Sequence, residues 1–267
     1  MTDAAAPAER RGARQWLVLA LIGAIGGTLS GAFGVGGGIV MVPLLVSLAG
    51  MDQRRAAATS LVAIVPTSIT ASLTYLASGH MDVVVGLLVA VGGVAGSYLG
   101  ARLLRRIPLG ALRWMFIALL VLIALRMALV APERGTGGVE LNGWVALGLV
   151  ALGLFMGVAS GLFGIGGGVI AVPFLIAAFG LGELVAKGTS LLVMIPTALM
   201  GTATNLRGGL VSVRAGLVVG LAATVFSFPG VALAFLLPPQ VSGLLFAALL
   251  LAAAIQLTVR TLRARRG

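Results

Sequence analysis

Two glycine triplets and two Thr-Ser pairs carry most of the chemistry available to this chain. Gly36, Gly37 and Gly38 stand in "SGAFGVGGGIVMVP" (30–43), and Gly166, Gly167 and Gly168 in "SGLFGIGGGVIAVP" (160–173). Downstream, Thr59, Ser60, Pro66 and Thr67 in "TSLVAIVPT" recur as Thr189, Ser190, Pro196 and Thr197 in "TSLLVMIPT". Three consecutive glycines break a helix and let a ligand approach main-chain N–H groups. The helix that restarts after them has first-turn amides without intrahelical partners and the positive end of its dipole, which together cradle an anion. Neutral hydroxyls donate to the same anion without the cost of burying a charge. A proline inside such a helix frees a carbonyl and permits a bend. Lys187, three residues before Ser190, and Asn205, at the polar end of the same segment, complete the candidate binding set.

Other chemistries find little support. No Gly-Lys-Ser/Thr follows either triplet, so neither is a nucleotide loop. Serine catalysis needs a positioned base, and the sole histidine, His80, reads as a solvated loop residue far from Ser60 and Ser190. The chain has no cysteine, which excludes thiolate metal sites, and no metal or cofactor is expected. Lys187 and Arg126 sit near segment ends, where long basic side chains snorkel to the interface. No Asp or Glu is expected inside a span, so nothing announces a proton relay.

These residues lie in elements that water cannot host. Hydrophobic residues make up 60% of the chain and charged residues 9%, against about 25% charged in a soluble domain. Runs such as 83–101 and 114–131 approach the roughly 20 apolar residues that cross a hydrocarbon core. They are continuously apolar, whereas a membrane barrel alternates with period two. The expected fold is therefore all-α, a polytopic transmembrane helical bundle embedded in a lipid bilayer. The net charge of +11 does not indicate a nucleic-acid partner, because the arginines occupy short loops where the positive-inside bias accounts for them. The start, "ERRGARQWLVLALIGAIGG", imitates a secretory signal. Its counterpart at 146–157 lies mid-chain, so the start reads as retained structure.

The two glycine stretches agree at nine of fourteen positions, 130 residues apart, and the Thr-Ser stretches at five of nine. The register continues without a gap through Gly79 and Gly209, Gly100 and Gly230, and Pro108 and Pro238. Such a duplication is a transporter signature. Each copy holds five apolar segments, expected near 16–33, 36–50, 55–77, 83–104 and 109–130 and again 130 residues later, and an odd number inverts the second copy. The organisation expected is a cytoplasmic tail (1–15), a first repeat (16–130), an external linker and helix start (131–145), a second repeat (146–262) and a cytoplasmic tail (263–267). With both termini inside, fifteen of the eighteen Lys and Arg fall on the inner face; only Arg126, Arg134 and Lys187 do not. The second segment of each copy, at about 15 residues, reaches only ~22 Å of a ~30 Å core. Short, glycine-broken segments at matching places in two inverted halves point to a transporter's binding site. Gly92, Gly96 and Gly100 read instead as a helix-packing stripe, which is also compatible with a homodimer.

At "GAFGVGGGIVMVPLL", "GLFGIGGGVIAVPFL", "AATSLVAIVPTSI" and "KGTSLLVMIPTAL" the chain resembles the TauE/SafE (TSUP) family of sulfite and organosulfonate exporters, over residues 17 to about 260. That resemblance implies a secondary transporter of small sulfur-containing anions in a bacterial cytoplasmic membrane. Its motifs do not choose among substrates. One departure from symmetry stands out: Lys187 has Ala57 as its counterpart, so any cationic contact is one-sided. A membrane chaperone or assembly factor without transport activity is the alternative reading, but it would need neither the inverted duplication nor the duplicated polar segment.

Overall fold

The computed structural model describes residues 12–129, 139 and 141–266. Arg10 and Arg11 of the expected tail, and Arg134 of the expected linker, lie outside the described residues. Ten α-helices follow one another: α1 (Ala13–Phe33), α2 (Gly38–Ser47), α3 (Gln53–Ala77), α4 (Val83–Leu104), α5 (Leu109–Leu129), α6 (Gly143–Phe163), α7 (Gly168–Phe179), α8 (Glu183–Leu206), α9 (Val213–Leu236) and α10 (Pro239–Arg266). Eight of them are long and apolar enough to cross a membrane, and α2 and α7 are not. Large apolar side chains stay on the outside, Trp144, Leu221 and Leu236 among them, which is the surface a bilayer solvates.

The short helices are shorter than their sequences suggest. α2 has 10 residues and spans about 15 Å, and α7 has 12 and spans about 18 Å. In α2 the Ser47 hydroxyl bonds back to the Pro43 carbonyl at 2.7 Å, and the chain then turns through Gly50 at φ 68°. The expected tail of that segment, 48–50, is thus a turn. α7 stops at Gly180 in the left-handed region. The next helix, α3, opens on Asp52, whose carboxylate accepts the amides of Arg54 and Arg55, both at 3.0 Å.

Close packing comes from glycine. A Cβ on Gly92, Gly96 or Gly100 of α4 would fall 2.7, 2.8 and 3.0 Å from backbone nitrogens of α6. Gly153, Gly157 and Gly161 meet α4 from the other side in the same way. Gly23, Gly27 and Gly31 of α1 bear on α9 likewise. The stripe expected to permit dimer contact is therefore occupied inside the chain, where small residues bring backbones together. These two crossings are each other's counterparts: α1 packs most heavily on α9, and α6, its duplicate, on α4, the duplicate of α9. The same exchange relates α3 on α9 to α8 on α4, while α5 packs on its own duplicate, α10. Each copy thus reaches into the other, and the chain closes as one body.

Candidate functional site

The glycine stretches interrupt two helix pairs deep inside the bundle. Residues 30–43 and 160–173 are all buried. α1 ends at Gly34, φ 69°, whose amide donates to the Ser30 carbonyl at 2.8 Å. α2 restarts after Gly37, φ 68°. The second copy repeats this at Gly164, φ 71°, and Gly167, φ 88°. In α2 the first amide to find a carbonyl is that of Val40, on Gly37 at 3.1 Å, and in α7 it is that of Ile170, on Gly167 at 3.0 Å. The amides of Gly38, Ile39, Gly168 and Val169 come before the helical ladder begins, as helix starts require.

The two gaps meet, and they meet crosswise. Ser60 on α3 donates to the carbonyl of Gly164, in the other copy, at 2.6 Å. Ser190 on α8 donates to the carbonyl of Gly34. A Cβ on Gly38 would stand 2.8 Å from the Ile165 Cα, and one on Gly168 2.5 Å from the Gly34 carbonyl oxygen and 2.9 Å from the Val35 Cα. Residues 34–38 and 164–168 therefore lie against each other, with the Ile64 side chain beside Gly38 and that of Met194 beside Gly168. Gly36 and Gly166 share a cover: a Cβ on either would touch the Met194 sulfur, at 2.5 and 3.2 Å, and Ile64 Cγ2, at 3.4 and 3.3 Å. Ile64 and Met194 are themselves duplicates. Ser68 donates to the Met194 sulfur at 3.8 Å. The sequence reading misses this apolar lid because nothing distinguishes Ile64 or Met194 from the rest of an apolar helix; only their place in the repeat, four residues after each Thr59-Ser60 or Thr189-Ser190 pair, could have singled them out.

The remaining candidates divide. Thr67 bonds back to Ala63 at 2.8 Å, and Thr197 to Val193 at 3.0 Å. Such back-bonding occupies each hydroxyl proton and eases the bend that the adjacent Pro66 and Pro196 permit. Pro66 packs toward α9, where a Cβ on Gly220 would come 3.0 Å from its ring. Thr59 and Thr189, expected beside the anion, instead hold loops of the opposite copy. The Thr59 hydroxyl accepts the Ser212 amide at 3.1 Å, and that of Thr189 the Asp82 amide at 2.9 Å. Asn205 is fully buried with neither amide atom partnered. Its duplicate, Tyr75, is also fully buried, but its hydroxyl donates to the Gly31 carbonyl at 2.9 Å. Ser30 and Ser160, one turn before each gap, are a further matched pair of buried hydroxyls without partners.

Three expectations about ionisable groups are overturned. Lys187 does not snorkel: it is 3% exposed and pairs with Glu183, equally buried, at 2.6 Å. A salt bridge one helical turn long satisfies the ammonium where it stands, so it need not reach water. Glu183 is accordingly a buried carboxylate within a span, against the expectation of none; its position in the first turn of α8 disguises it as a loop residue. His80 is not simply solvated, since its ring packs edge-on to Phe235 at 5.1 Å and its Nδ1 is buried without a partner. Among the described residues no cluster of side chains could hold a metal.

Comparison with known proteins identifies the family. The family model described as sulfite exporter TauE/SafE matches residues 2–127 and 149–267. The chain is 28% identical over 216 residues to the probable membrane transporter protein YunE of Bacillus subtilis, covering 73% of this chain and 79% of the relative. It is 31% identical over 193 residues to a probable membrane transporter protein of Xylella fastidiosa strain 9a5c, covering 71% and 73%. No solved structure matches. With its eight apolar helices and two facing backbone gaps, the chain belongs to the sulfite exporter TauE/SafE family of membrane transporters.

Proposed function

We propose that this protein is a secondary transporter that exports small sulfur-containing anions, sulfite or organosulfonates, across a bacterial cytoplasmic membrane. The observation that carries the reading is the crosswise meeting of the two gaps, which sets the amide-rich starts of α2 and α7 side by side at the contact between the copies. Two positive helix ends at one place suit one small anion. The substrate set is the amides of Gly36, Gly37, Gly38, Gly166, Gly167 and Gly168, with the Ser60 and Ser190 hydroxyls beside them and Asn205 as an uncommitted donor. Ile64 and Met194 lie against Gly36, Gly38, Gly166 and Gly168 in this conformation.

The copies have opposite orientations in the bilayer, with both termini cytoplasmic, and alternating access follows from one copy rocking against the other around the fixed site. The reciprocal helix pairing supports this, because each copy presents the other with the same contacts. The sulfur chemistry is drawn from the family's name and motifs. Sulfite and sulfonate efflux from proteoliposomes tests the reading. Flux is expected for the wild-type chain and is lost when Gly37 and Gly167 are both changed to valine, with a monodisperse protein as the folding control. Undiminished flux in the folded variant removes the gaps from the mechanism.

A further inference from the structure

An ion pair buried in a membrane span is expensive, and this fold does not require one. Desolvating two charges is costly even after relaxation, and intramembrane ionisable residues are rare outside functional sites. Glu183 and Lys187 occupy such a place, each 3% exposed and 2.6 Å apart. The duplicated positions, 130 residues earlier, hold Gln53 and Ala57, which are buried just as fully. The same helical context is thus filled once by a neutral pair and once by a charged one. Nor is the charged pair remote from the gaps: a Cβ on Gly34 would lie 2.6 Å from the Lys187 Cα. Lys187 also donates to the Ser242 hydroxyl of α10 at 3.0 Å, whereas the second carboxylate oxygen of Glu183 has no partner.

From this arrangement we infer that Lys187 is an anion-binding residue and that Glu183 takes up a proton when the anion binds. The inference rests on the transport reading and adds its coupling. Electroneutrality requires the coupling. In the empty state the carboxylate and the ammonium cancel. An anion arriving at Lys187 leaves one uncompensated negative charge in a low-dielectric place, and that charge is removed if one proton from the same aqueous side binds Glu183. Ammonium, neutral carboxylic acid and anion then again sum to zero. One proton accompanies each monovalent anion bound, no bond other than the O–H is made, and release returns both. Among the described residues, Tyr75, Ser242 and His80 bring polar or titratable groups to this part of the fold. The Tyr75 phenol of α3 donates to the Gly31 carbonyl at 2.9 Å. Ser242 from α10 does not titrate. His80, in the loop after α3, has its backbone carbonyl and Tyr75 Cβ against Gly188, while its ring faces Phe235 of α9.

The test uses full-length protein in proteoliposomes, with isethionate and sulfite run in parallel and internal pH followed by a dye. Isethionate is the cleaner probe, because a sulfonate keeps its charge over roughly pH 5 to 8 while a coupled carboxylate does not. In the wild type, anion and proton are expected to move together, and the apparent anion affinity to strengthen on acidification by up to about tenfold per pH unit, the limit for one linked proton. In Glu183→Gln that slope disappears, because the neutral partner is permanent, and anion-induced thermal stabilisation persists at alkaline pH. Should that variant misfold, the double change Glu183→Gln with Lys187→Ala recreates the neutral pair that positions 53 and 57 already accommodate. It is expected to move no protons and to bind anion at least tenfold more weakly. Wild-type flux without accompanying protons, or an unchanged pH slope in either variant, overturns the coupling and leaves the transport reading standing. Absence of any flux of either anion by the wild type overturns that reading, and the coupling with it.

Discussion

The Ser60 hydroxyl reaches out of its own copy and donates to the Gly164 carbonyl at 2.6 Å, 104 residues further along the chain. Its duplicate, Ser190, does the same to Gly34. Each broken helix is therefore tied by a hydroxyl of the opposite copy at the residue where it breaks. The exposed-carbonyl problem of an interrupted helix, acute where no water is available, is solved in trans. The same two bonds couple the gaps, since moving α3 or α8 pulls on the far one.

Removing either hydroxyl has a calculable consequence. Ser60→Ala leaves the Gly164 carbonyl buried and unpaired, at a cost of roughly 1–3 kcal/mol. Ser190→Ala exposes Gly34 to the same penalty. Equilibrium unfolding in detergent is expected to register losses of this size, matched between the two variants because the contacts are duplicates. Anion flux is expected to fall in both. A variant with full stability and full flux would mean the carbonyl finds another donor and that the tie is dispensable.

The lid makes a second prediction. Ile64 and Met194 lie over Gly36 and Gly166, where their side chains would shield helix-start amides. Truncating Met194 to alanine should destabilise by about 2–5 kcal/mol, as for other buried large-to-small changes. It should also uncover the amides. Thermal stabilisation by added sulfite is then expected to grow relative to wild type even as the unliganded melting temperature drops. If the melting temperature drops and sulfite stabilisation does not rise, Met194 is packing and not a cover.

The broken helices are legible in the sequence because three glycines in a row inside an apolar run have few other uses, and because the duplication marks the same place twice. The eight long spans follow from hydropathy alone. What the sequence conceals is tertiary. That Ser60 is bonded to Gly164 depends on α3 lying against the other copy's gap, which no local pattern states. Ile64 and Met194 are invisible because an apolar lid on an apolar helix carries no compositional contrast. Glu183 escapes notice because an acid in a first turn looks like a solvated partner of the helix dipole, whereas here it is buried and paired with Lys187. Asn205 is the reverse case: its polarity flags it in the sequence, and the structure leaves its amide uncommitted.

Thr59 and Thr189 separate the roles of hydroxyls that look alike in the sequence. Both sit next to the gap-binding serines, yet their oxygens accept amides from the loops after α8 and α3, Ser212 at 3.1 Å and Asp82 at 2.9 Å. Those amides belong to residues just before α9 and α4, so the bonds fix where the next span begins. Thr→Val preserves shape and removes the acceptor, leaving a backbone N–H at the edge of the bundle; the loss of one such bond is worth about 1 kcal/mol. Thr59→Val and Thr189→Val are therefore expected to lower stability by about that amount while the sulfite concentration giving half-maximal flux stays the same. Ser60→Ala, one residue away, should change both. The comparison is sharp because the two substitutions are adjacent on α3 and differ mainly in which partner loses its hydrogen bond. A shifted half-maximal concentration in Thr59→Val, at intact stability, would return that hydroxyl to the substrate and make the loop bond incidental.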